Sequence, residues 1–296
     1  MKASRIRTAV LVTLLIMIWG ASFPVYKIAL NYSPPLLFTG IRTLAGGGIL
    51  FLLMIRKRSA INWKANWQIY TLSAILNVIF FFGLQIFGLR YLPSGMFAVI
   101  VYLQPVMVGV LAWLWLGDKM SPLKLAGFLA GFAGVAVASI QNLSGNASAV
   151  GLLLALGTAL SWSIGTVYVK KVSGRVDFMW LAAMQCLMGG MVLTGTGLLT
   201  EQWSGIIWNS AYLLSLLYAS VFGVAVSWML YFFLVNAGDL QKISSYMFLV
   251  PVVSVTLGAL LLHEPLTKFL LIGLALIAFS LYCINRQPKQ SSSGIR

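Results

Sequence analysis

Apolar runs of about 20 residues recur along the whole chain, parted by short polar links. A helix needs about 20 residues to cross ~30 Å of hydrocarbon, and there it satisfies its own backbone donors and acceptors. Ten such runs read from the sequence, at roughly 9–30, 35–55, 68–89, 94–116, 123–140, 150–169, 178–199, 211–235, 243–262 and 267–285. Turn and charge signals stand between them, among them "NYSPP", "RKRSAINWK", "LPSG", "GDKMSP", "NLSGNAS" and "HEPLTK". The expected fold is all-α and integral to the membrane, with ten transmembrane helices. Composition agrees. Only 8% of the residues are charged, against ~25% in a soluble domain, so there is too little polar surface to coat a globule in water.

A net charge of +15 would suggest nucleic acid in a soluble protein. Here the basic residues cluster in alternate links, which is the positive-inside pattern, so no nucleic-acid partner is expected and lipid is the surrounding medium. All of the 20 Lys and Arg except Lys27, Arg42, Arg90 and Lys268 fall on one side if both termini are cytoplasmic. The expected location is the cell (plasma) membrane, multi-pass. The basic start, Met1 to Thr8, leads into a retained first span, since no small-residue cleavage site follows a short apolar core. Residues 287–296 are polar and read as a disordered cytoplasmic tail. Cys186 and Cys283 each lie inside an apolar run and read as small buried side chains; no cofactor or metal is expected.

The chain repeats itself. Displaced by 143 residues, Trp19 meets Trp162, Lys27 meets Lys170, Arg42 meets Gln185, and Gly46 and Gly47 meet Gly189 and Gly190. Displaced by 146, Pro105 meets Pro251, Asp118 meets Glu264, Ser121 meets Thr267 and Gly127 meets Gly273. Residues 1–145 and 146–286 thus form two five-helix repeats. Five is odd, so the second repeat crosses the membrane in the opposite sense. Inverted repeats are the architecture of secondary transporters, because two equivalent packings can open to opposite sides.

The stretches "WGASFPVYK", "GIRTLAGG", "GLRYLPSGMFAVIVYLQPVMVGVLAWLWLGDKMS" and "SYMFLVPVVSVTLGALLLHEPLT" resemble the EamA family of the drug/metabolite transporter superfamily, over about residues 9 to 285. The resemblance implies a ten-helix bundle carrying small metabolites by alternating access, commonly outward. Amino acids and their derivatives are among the substrates it implies. It does not name one.

Which residues would meet a solute follows from polarity at depth. Lys27 lies near the outer end of the first span and Arg42 about two turns into the second, with no carboxylate in either span. A charge at a helix centre costs roughly 2.5–3.5 kcal/mol on insertion scales. Two readings stand for both: they bind an anionic group such as a carboxylate across a polar cavity, or they are structural, with Lys27 snorkelling to the interface. Trp19, Ser22, Asn77, Gln85, Tyr102, Gln104, Trp162, Ser163, Thr166, Gln185, Trp228 and Tyr246 are the other mid-span polar and aromatic residues. They serve either as interhelical glue or as cavity lining. Pro24, Pro105 and Pro251 each remove a backbone donor inside a span and are candidate hinges. Small Gly20, Ala21 and Ser22 beside Pro24 would let a neighbouring helix approach.

All five acids, Asp118, Asp177, Glu201, Asp239 and Glu264, fall at span ends or in links. Coupling through a buried carboxylate is therefore not expected, and neither is a lipophilic cation as cargo. Asp118 and Glu264 are expected to serve helix ends, pairing at most with Lys119 and Lys268 at the surface. An enzyme would need a convergent acid, base, nucleophile or metal set, and no HExxH, Cys/His cluster or Walker loop is present, so no catalytic residue is assigned. A membrane receptor or sensor would normally add a soluble domain. A facilitator of other organic anions is the nearer alternative. A homodimer is compatible with the chain, though no residue pattern specifies one.

Overall fold

The computed structural model of the protein describes residues 5–116, 121–140, 146–172, 174–236, 247 and 249–285. Its regular elements are all helices. They are α1 (Arg5–Ala29), α2 (Pro35–Met54), α3 (Trp63–Ala74), α4 (Phe81–Tyr91), α5 (Ser94–Val101), α6 (Gln104–Leu116), α7 (Pro122–Ser139), α8 (Asn146–Lys171), α9 (Phe178–Thr200), α10 (Ser210–Ser220), α11 (Ser227–Asn236), α12 (Leu249–Leu262) and α13 (Lys268–Asn285). Several are joined end to end. Among the described residues, seven continuous helical stretches are long and apolar enough to cross a membrane: Ile6–Ala29, Pro35–Arg58, Trp63–Tyr91, Ser94–Trp115, Ala149–Lys171, Phe178–Thr200 and Ser210–Tyr231. Pro122–Ala138, Leu249–Leu262 and Lys268–Cys283 are shorter apolar helices.

Helix starts obey the local chemistry. Pro35 opens α2 and Pro122 opens α7, positions where the missing N–H costs nothing. The Ser121 hydroxyl accepts from Lys124 N at 3.3 Å, and that of Thr267 accepts from Leu270 N at 3.1 Å. Asp177 accepts from the first backbone N–H groups of α9, at Met179 and Trp180. Each satisfies a donor that a first helical turn leaves orphaned.

Besides the 3₁₀ turn Ile55–Ile61 at the end of the Pro35–Arg58 stretch, three interruptions among the described residues break the regular α-helical course of the spans. α3 passes into α4 through a π-helical turn, Ile75–Phe80. α10 passes into α11 through another, Val221–Val226, displaced from the first by 146 residues. The run at 94–116 breaks at Tyr102–Leu103, leaving α5 and α6 as two half-helices with Pro105 in the first turn of the second. Pro251 stands likewise in the first turn of α12. Pro24, by contrast, lies inside α1, which is helical on both sides of it.

The helices pack in matched pairs. α2 lies along α9, and α7 along α13; α1 contacts α12, α10 and α11, and α8 contacts α5, α6 and α4. The α2–α9 crossing is reciprocal: a Cβ on Gly47 would stand 3.1 Å from Leu187 N, and one on Gly190 would stand 2.9 Å from Leu44 N. Only glycine permits backbones this close. Large apolar side chains cover the outside, Leu199 at 88% exposure and Leu260 at 67%. In water that coat would be a liability; against lipid tails it is the ordinary surface. The protein is a multi-pass membrane protein.

Candidate functional site

Where the halves meet, α1, α4, α8, α11, the two π-helical turns and the break at Tyr102 line a chamber of about 60 Å³. That is room for a few waters, less than an amino acid needs. Six of the substrate-pathway residues named from the sequence line it, not counting Trp228: Trp19, Ser22, Asn77, Gln85, Tyr102 and Trp162. Trp228, conspicuous in the sequence as a mid-span aromatic, lines it too, together with Phe23, Tyr26, Phe81, Phe82 and Gly223. The repeat mates Trp19 and Trp162 touch edge to face across it, with ring centroids 6.2 Å apart. Trp162 also meets Tyr102 at 5.9 Å and Phe81 at 5.2 Å. Aromatic faces with a few polar atoms between them suit a flat, amphipathic solute.

The polar groups of the wall are tied to a second layer. Asn77 Nδ2 donates to Gln185 Oε1 at 3.4 Å, joining α9 to the first π-helical turn. Ser22 donates to the Ile18 carbonyl at 2.8 Å, and Tyr218 donates to the same carbonyl at 2.7 Å. Gln104 Nε2 donates to Thr166 Oγ1 at 3.1 Å, and Ser163 donates to Gln104 O at 3.1 Å. Gln104, Ser163, Thr166 and Gln185 thus stand behind the wall, holding α6 to α8 and α9 to the turn after α3. Tyr246 lies outside the described residues.

Arg42 is fully buried. Its guanidinium carbon lies 4.0 Å from the Tyr26 ring centroid and 4.5 Å from that of Phe82. Nη2 donates to Gln85 Oε1 at a long 3.4 Å, while Nε and Nη1 have no hydrogen-bond partner. Tyr26, Phe82 and Gln85 are all chamber walls.

The structure does not bring Lys27 to this chamber. Its ammonium is 3.2 Å from Glu264 Oε1 and donates to Leu92 O at 2.7 Å. Glu264 also accepts from Ser94 N at 2.6 Å, Ser94 Oγ at 2.9 Å and Gly95 N at 3.1 Å. It therefore caps α5, as expected of a helix-end acid, but its cation is Lys27 rather than Lys268, which lies over the Phe269 ring instead. A left-handed residue, His263 at φ 53°, turns the chain back so that Glu264 reaches inward. Glu201 does the same for α2, accepting from Leu36 N at 3.0 Å and Leu37 N at 2.9 Å. Asp118 and Lys119 lie outside the described residues. Cys186 and Cys283 are buried free thiols, and no group of three metal-ligating side chains occurs among the described residues.

Of the aromatic residues that polarity alone did not select, those of α1 had a signal in their spacing. Phe23 and Tyr26 come after Trp19 at helical spacing, so one face of α1 carries all three into the chamber. Phe81 and Phe82 come directly after the π-helical turn, which no local residue announces.

Comparison with known proteins places this architecture. The chain is 47% identical over 288 residues to the uncharacterized transporter YvbV of Bacillus subtilis (strain 168), covering 97% of this chain and 94% of that one. It is 26% identical to a probable amino-acid metabolite efflux pump of Escherichia coli (strain K12), covering 93% and 94%. A crystal structure at 20% identity superposes with a TM-score of 0.68, covering 95% of this chain and 96% of that one, which shows a shared fold. Residues 6–140 and 149–286 each match the EamA-like transporter family. A doubled family match on two aromatic-walled halves leaves one conclusion: this chain is a member of the EamA-like transporter family, a membrane transporter.

Proposed function

We propose that the protein is a secondary transporter that exports small amphipathic metabolites, such as amino acids or their derivatives, by alternating access. The two inverted five-helix repeats, residues 1–145 and 146–286, would rock about the chamber, with both termini and the 287–296 tail in the cytoplasm. The observation that carries this reading is the chamber itself, walled by both halves and centred on the Trp19–Trp162 contact between repeat mates. The reciprocal Gly47 and Gly190 contacts and the two π-helical turns 146 residues apart support a twofold relation between the repeats. π-helical turns and broken helices at mid-membrane are where transporters place binding sites.

Such a solute would need the chamber to widen. Pro105, in the first turn of the half-helix α6, and Pro251, in the first turn of α12, are the hinges that would let those helices swing; Pro24, inside α1, would bend it less. The export direction rests on the relative from Escherichia coli (strain K12) whose name says efflux pump. Cells overproducing the chain should survive selectively on a panel of toxic amino-acid analogues and their N-acylated or deaminated derivatives, and should release preloaded labelled compound faster than cells producing Trp162→Ala. Equal release by the two strains across the analogue panel would end the reading.

A further inference from the structure

We propose that Arg42 is the receptor for the substrate's carboxylate, and that the solute carried is an organic monoanion with a flat apolar body rather than a zwitterion. This rests on the transport reading above and names the charge class for the same chamber.

Arg42 is an unbalanced charge. A guanidinium with no exposure, two donor nitrogens without partners and one long bond to Gln85 is an expensive thing to keep in hydrocarbon. Aromatic faces at 4.0 and 4.5 Å recover part of that cost and fix the plane of the fork, but they do not neutralise it. Among the described residues, no side chain supplies the missing anion. Asp177, Glu201 and Glu264 are each spent on backbone N–H groups at helix starts. The sequence puts Asp118 and Asp239 in links between spans. The side chains that hold Arg42, namely Tyr26, Phe82 and Gln85, are also walls of the chamber, so a counter-charge arriving there has one side-chain layer to part. A carboxylate is the planar acceptor that a guanidinium fork binds with two parallel bonds.

The same inventory speaks against a free ammonium. The chamber wall carries no charged side chain; the one cation, Arg42, lies behind Tyr26, Phe82 and Gln85, and among the described residues no carboxylate stands there to balance a second positive charge. Two of its aromatic faces are already occupied by Arg42. An amino-acid derivative whose amine is absent or acylated meets every feature; the parent amino acid leaves its ammonium facing a guanidinium. Lys27, with its ammonium on Glu264 and Leu92 O, is outside this recognition.

Three probes separate the charge classes at nearly constant shape: phenylacetate (anion), phenylalanine (zwitterion) and phenethylamine (cation). Binding of labelled phenylacetate to the purified full-length protein, with the other two as competitors, should rank phenylacetate first by about tenfold or more and phenethylamine last. Arg42→Gln should remove the anion's advantage to within about twofold, and Lys27→Gln should keep it. Phenylalanine binding as tightly as phenylacetate, no phenylacetate binding, or an Arg42→Gln protein with the full preference would each overturn the proposal. Where Arg42→Gln does not fold, the ranking on the unaltered protein decides alone. Proteoliposomes separate this from the transport reading: movement of phenylalanine with no preference for phenylacetate overturns the anion site and leaves transport standing.

Discussion

A single glycine shows how tightly the pathway helices are set. A Cβ on Gly20 would lie 2.5 Å from Val253 Cβ and 3.1 Å from Val250 O, so α1 touches α12 at its backbone, one residue from Trp19. Gly20→Leu should therefore cost about 1–3 kcal/mol by overpacking and lower the thermal midpoint of the purified protein. An unchanged midpoint would mean that α1 and α12 part freely there. Polarity makes half of the chamber legible in the sequence: Trp19, Ser22, Asn77 and Gln85 are conspicuous because their neighbours are apolar. Phe23, Phe81 and Phe82 are not, because a phenylalanine in an apolar run resembles the run. Arg42 is conspicuous for the same reason as Asn77, but its aromatic clamp depends on α1 and α4 meeting α2, which spacing along α2 does not encode.

Among elements, the joints are the least local features. Pro35 and Pro122 announce their helices, and Ser121, Asp177 and Thr267 announce theirs. The starts of α2 and α5 are different, because their caps arrive from 165 and 170 residues away, as Glu201 and Glu264. Each acid is readable as a helix-end residue, while the helix it serves is not, since contacts of that range come only from the packed bundle. The two roles of Glu264 can be separated. Glu264→Ala strips α5 of three hydrogen bonds and leaves Lys27 without its carboxylate, at a cost of about 2–3 kcal/mol. Lys27→Met leaves the cap whole and removes only a partly exposed ion pair, at a cost under about 1 kcal/mol. Thermal midpoints of the two proteins should fall in that order. Equal losses would assign the stabilisation to the ion pair and not to the cap.

At the scale of the whole molecule, the question is whether the two halves face opposite ways. The apolar runs and the two displacements are plain in the sequence, because burying a helix in lipid imposes a length and repetition imposes a register. The π-helical turns are invisible there, since "ILNVIF" and "VFGVAV" contain nothing that forces a wider turn, and beyond their 146-residue offset they share only the valine at Val78 and Val224. Ser121 and Thr267, at that same offset, open α7 and α13 with the same hydroxyl-to-backbone bond. Equivalent ends of equivalent helices must lie on opposite membrane faces if five spans precede the second repeat, and on one face if an even number does. Cysteine placed at either position reports the side, and the background is silent because Cys186 and Cys283 are buried. In sealed right-side-out vesicles, a membrane-impermeant maleimide should label Thr267→Cys and spare Ser121→Cys; inverted vesicles should reverse the result. Each substitution removes a cap worth about 1 kcal/mol, which a bundle of this size tolerates. Labelling of both from one side would make the halves parallel. The chamber would then have no symmetric partner conformation, and the Trp19–Trp162 contact could not be the pivot of an exchange between two faces.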